Sequence, residues 1–168
     1  MSLLLRLARQ ARRRANTVDL YIISYRAKRG IGRMLTRTLY WFLKSRPYRK
    51  RAVRYKNHVI SAEIADSFAK QMIGLMYRKG IGKNEGMLFP LIVGGKNRAA
   101  VIMLNMKFGI DIVWMNEKHM IVDIAKNAKQ SSIFGRPYVP KKEAKYVLEL
   151  KRGTAERMGI RTGERMSF

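Results

Sequence analysis

The sequence predicts a mainly β (α+β) domain, a compact small β-sandwich or barrel with one or two short helices, preceded by a basic and partly helical extension. Two observations predict this architecture. From residue 58 onward, short apolar runs of strand length alternate with turn signals, and few helical patterns lie among them. Before that point, residues 1–57 contain 17 Lys and Arg against one acid, Asp19, a balance of +16 out of a formal net charge of +25.

This uneven charge divides the chain into a basic extension, residues 1–57, and a compact domain, residues 58–168. Within the extension, Leu3, Leu4 and Leu7 follow helical spacing, and a second helical pattern covers Met34–Phe42. Pro47 ends that pattern, because proline disfavours helical geometry in the residue before it. The run Arg46–Lys56 is then expected to be extended.

The domain elements are predicted from apolar spacing and turn residues. Ser61–Asp66 is expected to be a strand that leads into a helix capped by Asp66 or Ser67. That helix continues through Phe68 to Met76, whose apolar residues recur at helical spacing. Further strands are predicted at Met87–Val93, Ala99–Leu104, Ile110–Met115, Met120–Ile124 and Tyr146–Leu150, with a short helix at Thr154–Met158.

Composition excludes several classes of chemistry. The chain has no Cys, which excludes disulfides and thiolate sites, and its two His, His58 and His119, are far apart in sequence. The glycine-rich loop Lys79–Asn84 does not fit a phosphate-binding loop, since Tyr77 and Asn84 replace the required Gly and Ser or Thr. We therefore predict no catalytic residue, no metal and no cofactor, and a protein that is not an enzyme.

No apolar run reaches the roughly 18 residues of a membrane-spanning helix, so no transmembrane segment is predicted. A cytoplasmic location is expected, with an organelle transit peptide as an alternative for the Arg-rich start.

The charge of the extension predicts a polyanionic partner, with RNA first and an anionic membrane surface second. Arginine binds phosphate oxygens with two parallel hydrogen bonds, and tyrosine stacks on exposed bases. The predicted stacking residues are Tyr48 and Tyr55. The predicted phosphate contacts are Arg12, Arg13, Arg14, Arg26, Lys28, Arg29, Arg33, Arg37, Arg46, Arg49, Lys50, Arg51 and Arg54.

These features favour a structural RNA-binding protein, most simply a ribosomal or ribosome-associated one. Its basic extension would bind rRNA, and neighbouring ribosomal proteins would be its other partners. No helix-turn-helix, zinc finger or basic zipper is recognisable, so RNA is preferred over DNA.

Several motifs in the second region carry a family resemblance. Gly74–Arg78, Gly86–Phe89, Asn105 with Asp111 six residues later, and Val147–Leu150 occur in an order that resembles the family of domain of unknown function 192. The resemblance covers about residues 60–165 and implies a compact, mainly β fold. The family consists of small proteins of archaea and bacteria and has no established activity.

Asn105 and Asp111 match the family pattern and are the possible family site. Where the family usually has Trp, Lys and Thr around that Asn, this chain has Ile102, Leu104 and Met106. The resemblance therefore implies that a polar pocket at this position is partly lost. A small-ligand-binding or enzymatic domain around Asn105 and Asp111 remains the alternative to RNA binding, and a peripheral membrane protein is a further alternative.

Overall fold

The computed structural model describes residues 37–38, 40–41, 47–91, 99–130 and 137–168. Within them, six strands and two short helices form the domain, which confirms the predicted mainly β fold. Their bounds are β1 (Lys50–Tyr55), β2 (His58–Ile64), α1 (Phe68–Ile73), β3 (Glu85–Pro90), β4 (Ile110–Met115), β5 (Ile121–Ala128), β6 (Tyr146–Lys151) and α2 (Thr154–Arg157). Residues 37, 38, 40 and 41 are helical, as the Met34–Phe42 pattern predicts.

The six strands form one mixed sheet in the order β1-β2-β3-β6-β4-β5. Only β2 and β3 are parallel, and α1 lies in the long connection that a parallel pair needs. All other neighbours are antiparallel. The strand β6 is last in sequence but lies inside the sheet, between β3 and β4.

The segment 163–167 joins the two outer strands of this sheet. Ser167 exchanges two backbone hydrogen bonds with Arg54 of β1, at 2.8 and 3.0 Å. On the other side, Gly163 donates to the carbonyl of Ile121 in β5 and Glu164 accepts from its amide, both at 2.8 Å. The backbone groups of both outer strands are therefore partly satisfied by one segment, which closes the sheet in the manner of a barrel.

Both faces of the sheet are apolar, because side chains alternate across β3, β4 and β6 and all six residues of β4 are buried. One face forms an inner core around Leu88, Val113 and Leu148. The opposite face forms an outer core around Met87 and Trp114. Each strand of the centre thus supplies residues to two hydrophobic clusters.

The segment 99–106 covers the outer core, and the strand predicted at Ala99–Leu104 is wrong. In this segment only Val101 forms a bridge, with Tyr138, and the rest has no strand structure. Ala99 and Met103 are buried against the sheet face, and the carbonyl of Ala99 accepts a 2.7 Å hydrogen bond from the indole of Trp114. A short apolar run indicates burial, but it does not distinguish pairing within a sheet from packing on its face.

The helix α1 begins as predicted and ends early. Ser67 is its N-cap, and its hydroxyl accepts from the amide of Lys70 at 3.3 Å. The helix ends at Ile73 rather than Met76, because Gly74 takes a positive φ of 49°.

The strand β1 confirms that the basic run around residues 50–55 is extended, and it lies within the fold. It pairs along its whole length with β2, through a turn in which Lys56 has a positive φ of 50°. The predicted division between residues 57 and 58 therefore falls inside this hairpin. The folded domain therefore includes the last part of the basic extension.

We predict that Gly74→Ala lowers stability while Gly80→Ala does not. Gly74 has φ +49° and ψ −129°, and an added Cβ would lie 3.3 Å from Cζ of Phe89. A side chain in such a conformation costs about 1–3 kcal/mol. Gly80 has no atom within 4 Å of an added Cβ, so it is the matched control. Urea unfolding at neutral pH measures both, and equal midpoints for the two variants would contradict this account.

Candidate functional site

The described part of the basic extension presents positive side chains on β1. Lys50, Arg51 and Arg54 are all exposed. Lys50 and Arg54 lie on the same side of the strand, because they are separated by an even number of positions. None of the three forms an ion pair with a residue that the structure describes. The two basic residues that flank β1 are engaged, Arg49 with Asp66 at 2.8 Å and Lys56 with Glu164 at 2.9 Å.

The two tyrosines predicted to stack on bases are packed into the protein. Tyr55 is 1% exposed within the inner core, and two acceptors lie within hydrogen-bond distance of its hydroxyl, the carbonyl of Gly159 at 2.7 Å and the carboxylate of Glu164. Tyr48 is half-buried, with the cations of Lys70 and Arg78 at 5.0 and 5.3 Å from its ring centre. Tyr55 is therefore closed to a base, and the ring of Tyr48 is already in contact with two cations of the domain.

Most of the predicted phosphate contacts lie outside the described residues, and Arg37 is described within a helical segment. Those outside are Arg12, Arg13, Arg14, Arg26, Lys28, Arg29, Arg33 and Arg46. The helical residues around Tyr40 contact the domain, since the ring of Tyr40 lies 5.3 Å from that of Tyr77. The neighbouring Trp41 is 77% exposed.

A cavity of about 100 Å³ lies on the outer face of the sheet. The central strands form its floor, and α1, the loop after it and the segment 99–106 form its walls. Among the lining side chains only those of Gln71 and Glu149 are polar. The Gln71 amide is fixed by hydrogen bonds to the carbonyls of Ala65 at 3.0 Å and Pro90 at 2.7 Å. Phe68, 44% exposed, stands at the wall, so the cavity lies close to solvent.

Glu149 places a carboxyl group in this apolar cavity. It belongs to the central strand β6, where Met87 of β3 and Ile112 of β4 are its direct neighbours on the same face. It is 7% exposed, and burial raises the pKa of its carboxyl from 4.5 to about 8, while the charge of Arg78 acts in the opposite direction. No donor of the described residues hydrogen-bonds this carboxyl. Glu149 is therefore mainly a neutral carboxylic acid at pH 7.

The nearby cation is committed to another acid. The guanidinium of Arg78 donates two hydrogen bonds to the carboxylate of Glu63, at 2.6 and 3.1 Å. Glu63 lies in the same cross-strand row as Met87 and Glu149. Since Glu63 neutralises Arg78, the carboxyl of Glu149 keeps its proton despite the cation.

The possible family site is split by the sheet. The side-chain amide of Asn105 donates to the hydroxyl of Tyr77 at 2.8 Å, and the backbone carbonyl of Asn105 accepts from the backbone amide of Tyr77 at 3.0 Å, on the outer side. Asp111 points to the inner side and is 1% exposed, accepting from the amide of Ala155 at 2.8 Å and that of Asn127 at 2.9 Å. The structure does not bring Asn105 and Asp111 together, and neither lines the cavity.

Sequence reasoning did not identify Glu149 as a functional candidate, although a signal exists. An acid stands in the middle of the apolar strand Tyr146–Lys151, at a position whose neighbours across the sheet are apolar. Such a charge within a buried strand indicates either a paired group or a functional one. The burial of this side chain depends on the central position of β6 in the sheet, which the sequence does not reveal.

The described residues contain neither a group of metal ligands nor a membrane-spanning helix. Within the described ranges, no three His, Asp or Glu residues are grouped in a way that would hold a metal ion. None of the helices in the described part of the chain has the length and hydropathy of a membrane span.

The model of family DUF192, described as "Uncharacterized ACR", matches residues 51–168. The chain therefore belongs to the DUF192 family, as the sequence motifs predict. The matched range includes β1 from its second residue, in agreement with the position of that strand inside the fold.

Relatives in Pyrococcus and Thermococcus species carry the name UPF0127 protein. A UPF0127 protein of Pyrococcus furiosus is 32% identical over 109 residues, which cover 65% of this chain and 87% of that protein. A UPF0127 protein of Thermococcus gammatolerans is 30% identical over 106 residues, which cover 63% of this chain and 65% of that protein.

Two solved structures share the fold. A putative transcription regulator from Sinorhizobium meliloti superposes with a TM-score of 0.62 at 28% identity, covering 71% of this chain and 94% of that one. A protein of unknown function from Novosphingobium aromaticivorans gives a TM-score of 0.59 at 28% identity, covering 72% and 85%.

We predict that Asp111 is a structural residue whose loss destabilises the fold. Its carboxylate satisfies two backbone amides, one of which begins α2, and a hydrogen bond to a charged group contributes about 1.5–3 kcal/mol. In Asp111→Asn the side-chain NH2 would face one of these amide donors, so a loss of about 2 kcal/mol in the free energy of unfolding is expected. The exposed Glu117→Gln is the control. Wild-type stability in Asp111→Asn would refute this role.

We also predict that Glu149 makes the fold less stable as pH rises. Its pKa is about 8 in the folded state and near 4.5 when unfolded, so the unfolded chain releases its proton first. Stability is therefore lost between about pH 4.5 and pH 8, by at most about 5 kcal/mol. In Glu149→Gln this loss disappears, because an amide does not ionise.

The measurement is urea unfolding of the wild type and of Glu149→Gln from pH 5 to pH 9, and the quantity compared is the difference between their free energies of unfolding at each pH. Burial and the charges of Arg165 and Arg51 lower the pKa of His119, which gives stability the opposite slope near pH 6.5. That contribution is common to both proteins and cancels in the difference. A pH-independent difference would show that Glu149 is not buried as a neutral acid.

Proposed function

We propose that this protein binds RNA as a structural, non-enzymatic component of a ribonucleoprotein, with rRNA as its target and ribosomal proteins as neighbours. The supporting observation is the continuity of positive charge from the extension onto the folded domain. Residues 1–57 carry +16, and their last strand, β1, exposes Lys50, Arg51 and Arg54 on the surface.

The ion pairs of the domain leave this strand available to phosphate. The four ion pairs among the described residues use Arg49, Lys56, Lys70 and Arg78 as their cations. The three exposed cations of β1 are not among them. A phosphate that approaches β1 therefore displaces only water and counterions, and counterion release is the main source of affinity in such contacts.

The packing of Tyr48 and Tyr55 changes the expected mode of binding. With Tyr55 buried and Tyr48 packed beside Lys70 and Arg78, the contacts of β1 are made to the phosphate backbone and not to bases. Phosphate contacts carry no sequence information by themselves. Recognition by this surface is then tolerant of sequence and depends on the shape and charge of the RNA.

A nucleic-acid partner is also consistent with the description of the Sinorhizobium meliloti structure as a putative transcription regulator. That description favours DNA, whereas the absence of a recognisable helix-turn-helix in the sequence favours RNA. Duplex DNA therefore belongs in the test as a competitor.

We predict that removing two charges from β1 weakens RNA binding and its salt dependence. The full-length chain with Lys50→Ser and Arg54→Ser is compared with the chain carrying Lys141→Ser and Lys142→Ser, two exposed lysines outside the strands. Each phosphate contact that is lost lowers the slope of log affinity against log salt by about one. The β1 variant should therefore show a slope lower by about two, and the control an unchanged slope.

Affinity is measured by fluorescence anisotropy with a stem-loop RNA, in titrations at several salt concentrations. Equal slopes for both variants would contradict the placement of the RNA surface on β1. Tighter binding of duplex DNA of the same length would contradict the preference for RNA. Co-sedimentation of the wild-type chain with ribosomal particles at low salt, weakened in the β1 variant, is the expected outcome for rRNA.

A further inference from the structure

The RNA surface proposed on β1 does not include Glu149, and the position of this residue is costly for the fold. The residue is 7% exposed, and its carboxyl is on the outer face of the central strand, where it lines a cavity whose other walls are almost entirely apolar. Transferring a polar group from water without a hydrogen-bond partner costs free energy, and no donor among the described residues compensates it. A group that enters the cavity from outside would supply that partner.

We propose that the cavity beside Glu149 binds a small neutral molecule with a short apolar body and an amide or similar carbonyl group, which pairs with the carboxyl of Glu149.

The head-group chemistry follows from the state of the carboxyl. A protonated carboxylic acid has one O–H donor and one carbonyl acceptor side by side. A primary amide offers the matching acceptor and donor, so the two groups form paired hydrogen bonds. With a pKa of about 8, Glu149 is in the required state at neutral pH.

The charges around the cavity argue against an ionic ligand. Facing Glu149 from the loop after α1 is Arg78, which Glu63 of β2 neutralises at 2.6 Å. On α1 itself, Lys70 is paired with Asp66 at 2.9 Å. The lining residues from β3, β4 and the segment 99–106 are uncharged. A cation would have to ionise Glu149 in an apolar cavity against a net charge of +25, and an anion would find no free cation among the described residues that line the cavity.

The size and walls of the cavity determine the body of the ligand. A cavity of about 100 Å³ has room for several water molecules or for a short aliphatic chain. Four methionines line it, and methionine side chains adapt readily to the shape of an apolar group. They are Met72, Met76, Met103 and Met106.

The experiment uses the full-length protein labelled with 13C at its methionine methyl groups, titrated with butyramide, butylamine and butyrate. The expected result is that butyramide shifts the methyl signals of the cavity methionines at millimolar concentrations. Its affinity should fall about tenfold from pH 7 to pH 9, because the protonated fraction of a group with pKa about 8 falls by that factor. Butylamine and butyrate should bind at least tenfold more weakly at pH 7.

Two cavity variants and one surface control separate the possible causes. Glu149→Gln keeps a donor and an acceptor, so it should bind butyramide within about threefold of wild type and without pH dependence between pH 7 and pH 9. Ala100→Leu reduces the cavity and should weaken binding at least tenfold. Glu143→Gln, an exposed acid outside the cavity, should behave as wild type. Each variant is first checked for wild-type methionine signal dispersion.

Other outcomes overturn the proposal. Tighter binding of butylamine than of butyramide, with affinity rising from pH 7 to pH 9, would assign the cavity to cations. Tighter binding of butyrate would assign it to anions. Unchanged butyramide binding in Ala100→Leu, or no shift of the cavity methionines with any of the three compounds, would show that the cavity is not a binding site. None of these results bears on RNA affinity, so the two proposals stand or fall separately.

Discussion

The pairing of β6 with both β3 and β4 is the constraint on which the rest of this structure depends. Without β6, the three strands β1, β2 and β3 and the antiparallel β4–β5 pair would be separate units, and β3 and β4 would each present an unpaired edge. Because β6 is inserted between them, its alternating side chains contribute to two hydrophobic cores at once. Leu148 and Leu150 complete the inner core, Val147 completes the outer core, and Glu149 occupies the remaining outward position.

Two buried polar side chains, those of Asp111 and Tyr55, connect the elements that surround the inner core. Asp111 joins β4 to the start of α2 and to the bulged part of β5, and the hydroxyl of Tyr55 joins β1 to Gly159 after α2. Both are long-range hydrogen bonds between elements that the sheet brings near each other. They hold the ends of the sheet around the inner core. The outer face is covered instead by α1 and the irregular segment 99–106, and the cavity lies between this cover and the sheet.

The sequence predicts much of the fold, because the central strands are long apolar runs bounded by turn residues. Ile110–Met115 is predicted with its observed bounds, and the start of α1 follows from Ser67 as a capping residue. The segment 99–104 is the main error, since its apolar residues are buried by packing on the sheet and not by pairing within it. A local apolar pattern predicts that a segment is buried, but the element against which the segment packs is decided by the tertiary structure.

The candidate sites are less predictable than the fold. The exposed cations of β1 follow from composition, but the packing of Tyr48 and Tyr55 depends on distant residues such as Lys70 and Gly159. Asn105 and Asp111 are six residues apart in sequence, yet Asn105 lies in the irregular segment that covers the outer face, whereas Asp111 lies in β4 with its side chain on the inner face. Glu149 is conspicuous only once β6 is known to be a central strand.

The position of β1 also limits how the charge of this protein can be changed. The strand β1 is outermost on its side of the sheet and covers the edge of β2. A fragment that begins at residue 58 would therefore lose the charge of the extension and expose the edge of β2 at the same time. Aggregation of such a fragment would then imitate a loss of RNA binding. Alternate positions of β1 face the core, so substitutions that alter its charge without altering its fold are confined to the outward residues, of which Lys50, Ala52 and Arg54 form one row.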